Sequence, residues 1–178
     1  METQKITVHV KMDYKTLRTF GLFDAFNLKD RWKKPAIFAA IMLAFSLLCF
    51  LQHGKQHSVL LGSVLLAIGL GLPLVYVAMF LSQLKAQAKK LRLNPPRRVY
   101  TLVFSDESIH VSNDLKAGDE VTLEWEKLPV AFRRKKAIYL YVTRDRAFIL
   151  PDGQADASPD ELWAMMEKNL KPGRARRK

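Results

Sequence analysis

Two apolar runs, separated by one short polar break, decide what this chain can be. From Pro35 to Leu81 the only ionisable residues are His53, Lys55 and His57, and all three sit in the break QHGKQHS. A stretch of this length without a polar side has no face to turn to water, so it cannot lie on the surface of a soluble fold. The first run, residues 35–51 (PAIFAAIMLAFSLLCFL), would extend roughly 25 Å as a helix, slightly under the ~30 Å hydrocarbon core of a bilayer. The second, residues 59–81 (VLLGSVLLAIGLGLPLVYVAMFL), is long enough to cross with length to spare. The pattern predicts a transmembrane hairpin. A cleaved signal sequence fits poorly, because the first run begins only at Pro35, lacks a small-residue cleavage site and leads straight into the second run.

Charge is distributed to match. The chain carries a net +12, but residues 82–99 alone contribute +6 with no acid, residues 171–178 contribute +5, and residues 100–170 come to −4. A nucleic-acid reader carries its basic surface on the folded domain, so this distribution argues against nucleic acid as a partner. Lys29, Arg31, Lys33 and Lys34 precede the first run, and Lys85, Lys89, Lys90, Arg92, Arg97 and Arg98 follow the second, whereas the break offers only Lys55. The positive-inside rule then places both termini in the cytoplasm of a multi-pass protein of the cytoplasmic (inner) membrane.

The spans carry Ser46, Ser63 and Tyr76 as their polar side chains and no charge. Pumps and transporters place ionisable groups within the bilayer to handle protons or ions, so the hairpin reads as an anchor. Small residues recur every four positions, and measured from the turn Ala44 is level with Ala67 and Ala40 with Gly71. These four are the expected helix-packing face, because small side chains let backbones approach in lipid. The competing use of the stripe is contact with a partner helix or a second copy. Pro73 should loosen the second span. Cys49, the single cysteine, is a small apolar packing residue in this setting.

After Arg98 the period changes to two, the mark of half-buried strands. Tyr100, Leu102 and Phe104 alternate with Thr101, Val103 and Ser105; Val121, Leu123 and Trp125 with Thr122, Glu124 and Glu126; and Ile138, Leu140 and Val142 with Tyr139, Tyr141 and Thr143. Short strands are also expected at 109–111, 129–132 and 146–150. Ser158, Pro159 and Glu161 then form a capping-box start for a helix with Leu162, Met165, Met166 and Leu170 inward and Trp163 at its edge. That helix should end by Pro172-Gly173, with a disordered tail beyond. At the other end, Ile6, Val8, Val10 and Met12 alternate with Lys5, Thr7, His9 and Lys11, so a further strand is expected there, crossing back to join the sheet of 99–150. Asp13 could cap a short helix after it.

The stretches VYTLVFSDESIHVS, VTLEWEKLPVAF, AIYLYVTRDRAFILP and SPDELWAMMEKNL, with VKMDYKTLRTF near the N-terminus, resemble the YcxB-like proteins of bacteria. The resemblance covers most of the chain. It implies two membrane spans and a C-terminal pleckstrin-homology-like domain, and no established enzymatic activity. The sequence departs from the family pattern after Pro151, where a basic residue is frequent and Asp152-Gly153 stands here.

The expected fold is therefore a membrane α-helical hairpin plus an α+β unit: a small pleckstrin-homology-like antiparallel β domain capped by a C-terminal helix. Its parts are an N-terminal strand and short helix (1–34), the hairpin (35–81), a basic juxtamembrane linker (82–98), the β domain with its helix (99–171) and a basic tail (172–178). No catalytic constellation is legible, and no cofactor or metal is expected. His53 and His57 are four apart but lack a third ligand. The carboxylates of Asp106-Glu107 sit in an ordinary turn pattern. The basic run Arg133, Arg134, Lys135 and Lys136 is the candidate contact for anionic lipid head groups or a partner, and the tail cations invite the same reading. These features point to a non-enzymatic, membrane-anchored interaction module. The rival reading is an accessory subunit of a membrane transport or export complex, its small-residue faces bound to partner helices.

Overall fold

The computed structural model describes residues 5–28, 30, 32–52, 57–115 and 118–177, and the chain divides into two compact units. One contains the chain up to Thr16 together with everything from Arg92 onward; the other contains Leu17–Leu91. His53 and Lys55 lie outside the described residues.

The first unit is built on two four-stranded sheets. In one, β1 (Ile6–Met12), β2 (Arg97–Phe104), β3 (Ser108–Asn113) and β4 (Glu120–Glu124) follow one another as an antiparallel meander. Strand β1 pairs with β2 from Ile6 opposite Phe104 to Met12 opposite Arg97. Its alternation explains the pairing, because Ile6, Val8, Val10 and Met12 are all buried. The outer edge of β1 is closed by the segment ahead of the last helix: the amides of Thr7, His9 and Lys11 donate to Asp156 Oδ1, Gln154 O and Gln154 Oε1. An edge strand so covered offers no template for pairing with another chain.

The second sheet contains β5 (Val130–Arg134), β6 (Ala137–Tyr141) and β7 (Ala147–Pro151) as antiparallel neighbours. All five residues of β6 are buried, both Ile138 and Leu140 and the tyrosines Tyr139 and Tyr141 that alternate with them. A central strand covered on both faces loses the contrast that alternation detects.

Tyr100 ties the two sheets together. Ile149 lies opposite Tyr139 at a position where the antiparallel ladder turns its backbone groups away from β6. The Tyr100 hydroxyl donates to Ile149 O at 3.0 Å and accepts from Ile149 N–H at 2.8 Å, so one side chain satisfies both. Its ring meets Phe148 edge-on, with centroids 5.0 Å apart. Burial pushes the phenol well above the usual tyrosine range. Tyr100→Phe keeps the ring and strands an N–H and a C=O, which should cost about 1–3 kcal/mol. Faster amide exchange at Ile149 in the intact protein is the expected readout, and unchanged exchange there would refute this role.

Helix α4 (Pro159–Asn169) opens on the expected capping box: Ser158 Oγ accepts from Glu161 N–H, and Glu161 Oε2 accepts from Ser158 N–H. Leu162, Met165, Met166 and Leu170 are buried as the spacing requires. Trp163, placed by the sequence at the edge of that face, is instead fully enclosed. The tail widens the covered face. Rather than being disordered, residues 175–177 form β8 (Ala175–Arg177), parallel to β5, and Arg177 lies over the Trp163 ring at 5.9 Å.

The second unit begins within α1 (Tyr14–Phe23), whose start is capped by Asp13 Oδ1 accepting from Thr16 N–H at 2.7 Å. A π-helical turn, Asp24–Leu28, follows. Two long helices come next, α2 (Lys33–Leu51, 19 residues) and α3 (Ser58–Lys90, 33 residues). Both are long and apolar enough to cross a membrane, and only 6% of the most apolar window of each is buried. At ~1.5 Å per residue, α3 is about 50 Å long. It runs without interruption past Pro73 and through Lys85, Lys89 and Lys90. The first part of the expected linker 82–98 is therefore helix. Near that end α3 meets α1, where Leu84 Cδ2 lies 2.8 Å from the place a Cβ on Gly21 would occupy.

The seam between α2 and α3 lies at the expected depth but on other residues. Gly69 sits against Met42, whose Cβ is 2.9 Å from a Cβ built on that glycine. One turn and more toward the hairpin end, Ser46 Oγ donates to Gly62 O at 2.7 Å, and Gly62 faces Phe50 and Cys49. Ala40, Ala44 and Ala67 are exposed, and nothing lies within 4 Å of a Cβ on Gly71. Ala40 and Ala67 each stand two residues from the true contacts, about 200° round a helix and hence on its far side. The glycines at 62 and 69 let the helices approach closely here, and the outward-facing alanines take no part in the Ser46 bond.

Candidate functional site

The basic run folds as the β5–β6 hairpin. Arg134 stands opposite Ala137, and Lys135 and Lys136 make the exposed two-residue turn between them. Arg133 is different. Its Nη1–H donates to Asp152 Oδ1 at 2.6 Å, and the two side chains are only 17% and 27% exposed. A pair this sheltered is held by geometry as well as charge. Arg133 is thus committed inside the domain, and the cationic surface at the hairpin tip narrows to Lys135 and Lys136. Arg134 lies beside Tyr139, whose phenol is raised by burial and partly drawn back by that guanidinium.

Asp152 explains its own place in the sequence. It follows the Pro151 that closes β7 and supplies the carboxylate that holds Arg133. A basic residue there would repel the arginine.

The tail cations are engaged as well. Arg174 Nη1 donates to Glu126 O at 2.8 Å and Leu128 O at 2.7 Å, while the Arg174 carbonyl accepts from Ala131 N–H. Arg176 bonds Gly173 O, and Arg177 pairs with Glu167 at 3.7 Å. Gly173, at φ +80, makes the turn from α4 into β8. Through Arg177 the tail is built into the domain, with Ala175–Arg177 as β8.

His9 and His110 are exposed on the outer side of the first sheet, His9 against Thr101 and His110 against Thr122 and Glu120. His57 opens α3 with φ +73. Asp106, in the β2–β3 turn, accepts from Lys168 Nζ at 3.0 Å and from Asn169 Nδ2, fastening the far end of α4. No sequence signal assigned Tyr100, Arg174 or Asp152 these partners, because each acts on backbone or charge distant along the chain.

The two ends of α4 are consequently acid-sensitive. The hydrogen bonds from Lys168 and Asn169 hold Asp106 below its usual value, and the Ser158 amide and hydroxyl do the same for Glu161. Depressed folded-state values mean the stabilisation is complete above the ordinary carboxylate range, about pH 4, and is lost as pH falls through the folded values. Melting of the intact protein in detergent should decline on the acid side, and Asp106→Asn with Glu161→Gln should flatten that decline. An identical acid limb in the double variant would show that these carboxylates do not govern it.

No family model matches the chain, and neither a curated protein nor a solved structure matches it.

Proposed function

We propose that the chain is a membrane-anchored, non-enzymatic interaction module, with α2 and α3 crossing the cytoplasmic membrane and the β domain displayed on its cytoplasmic face. One observation carries this reading: two strongly apolar helices with 6% of their windows buried are joined to a unit that has its own well-filled core. A core helix of a soluble protein would be mostly enclosed, and lipid is the solvent that such bare surfaces require. The orientation rests on the basic residues flanking both spans. The meander β1–β4, the meander β5–β7 and the capping α4 support a pleckstrin-homology-like reading of the domain, in line with the YcxB-like resemblance. Its offered surface centres on Lys135 and Lys136, and the partner is an anionic lipid head group or an acidic protein.

Affinity capture of the intact protein in mild detergent tests this. An acidic protein, or an anionic lipid beyond any held by the helix pair, should co-purify and be lost on Lys135→Glu with Lys136→Glu; a β domain that captures neither would contradict the module. One observation favours the accessory-subunit reading, namely that Ala40, Ala44 and Ala67 face outward. Photocrosslinkers at Ala40 and Ala67 separate the two. Adducts to foreign membrane proteins support the subunit, and adducts to lipid alone support the anchor.

A further inference from the structure

A groove of about 690 Å³ lies along the second unit, between the first turns of α2 and the middle of α3. Its body is apolar, formed by Phe38, Leu72, Pro73, Val75 and Met79, and its lining also includes Tyr76, Lys34 and Asp30. From Lys34 to Phe38 is one helical turn, about 6 Å, and on the register that sets Gly69 against Met42, Lys34, Tyr76 and Met79 lie toward one end and Phe38, Leu72 and Pro73 toward the other. Tyrosine prefers the level of lipid head groups, which places Tyr76 and Lys34 at the bilayer boundary and Phe38 below it. This placement rests on the membrane-anchor reading.

We propose that the groove binds one anionic glycerophospholipid of the inner leaflet, an acyl chain along Phe38, Leu72 and Val75 and the phosphate at Lys34. Charge decides for this occupant. Lys34 is exposed and has no partner among the described residues. Asp30 is neutralised by Lys33 at 2.8 Å, so the carboxylate at the mouth does not repel a phosphate. A second copy is the rival occupant. Symmetric packing of two hairpins about an axis normal to the bilayer would set identical residues at equal depth, so Lys34 would face Lys34. A lipid phosphate removes that repulsion.

The test is native mass spectrometry of the full chain released from nanodiscs of equal phosphatidylcholine and phosphatidylglycerol. Wild type should retain one phosphatidylglycerol per chain in preference to phosphatidylcholine. Lys34→Glu should reduce that retention at least about fivefold, the effect of one cationic residue at an anionic surface. Val75→Trp, at an exposed lining position, should fill the groove and abolish retention of either lipid. Equal retention of the two lipids, indifference to both variants, or a dimer that Val75→Trp disrupts would each overturn the proposal. Alkaline extraction of native membranes keeps the two readings apart. A chain released by carbonate defeats the anchor itself, whereas a chain that stays in the membrane without lipid preference defeats only the groove.

Discussion

Trp163→Ala should cost the β domain about 3–5 kcal/mol, the largest loss expected from a single substitution in it. Trp163 is wholly enclosed and is the largest of the fully buried side chains. Its Nε1–H donates to Glu167, which also pairs with Arg177, and Arg177 lies over the ring. Truncation therefore leaves a cavity and also releases β8. The effect should spread to β5, whose Ala131 amide is held by Arg174 O at the entry to β8. Amide exchange of the intact protein should quicken by a factor on the order of a hundred or more in β5 and β8. Trp163→Phe, which keeps most of the apolar volume, should fall well short of that. Near-native exchange in the alanine variant would mean that the tail does not depend on this ring.

The second large effect belongs to the helix pair. Gly69→Leu places a branched side chain where even a Cβ would lie 2.9 Å from Met42 Cβ, so the helices must separate. Overpacking of this kind costs about 1–3 kcal/mol where neighbours yield, and more where the obstruction lies close to a backbone. Cys49 provides the readout, because its Cβ lies 3.3 Å from the Cβ position of Gly62. Gly62→Cys should form an interhelical disulfide with it under mild oxidation, detected by mass. Adding Gly69→Leu should sharply reduce the yield. Adding Ala67→Leu should leave it unchanged, since Ala67 faces outward. Equal loss from both would return the seam to the alanine face.

These contrasts mark how far the sequence could be read. Strand β1 was legible because four apolar residues alternate cleanly and one face of its sheet is buried. The capping box of α4 was legible because it is local, with both partners within three residues. The depth of the α2–α3 contact was legible from helical rise, but its face was not. A small-residue stripe states where helices could approach, whereas the actual face carries Gly62, Gly69 and one hydrogen bond, Ser46 to Gly62, that no periodicity encodes. Strand β8 was invisible because Ala175, Arg176 and Arg177 carry no apolar alternation; backbone pairing and Arg174 hold it in place. The basic run at 133–136 looked uniform, and only the fold divides it. Asp152, distant in sequence, claims Arg133 and leaves Lys135 and Lys136 at the turn.

The proposed anchor is tested most directly by thiol accessibility in intact cells. In a Cys49→Ser background, single cysteines would be placed at His57, exposed just ahead of α3, and at Glu107, exposed in the β2–β3 turn. A membrane-impermeant reagent should label the cysteine at position 57 from outside and reach the one at position 107 only after lysis. Labelling of both from outside, or of position 107 alone, would contradict a hairpin that crosses the membrane twice and holds its β domain in the cytoplasm.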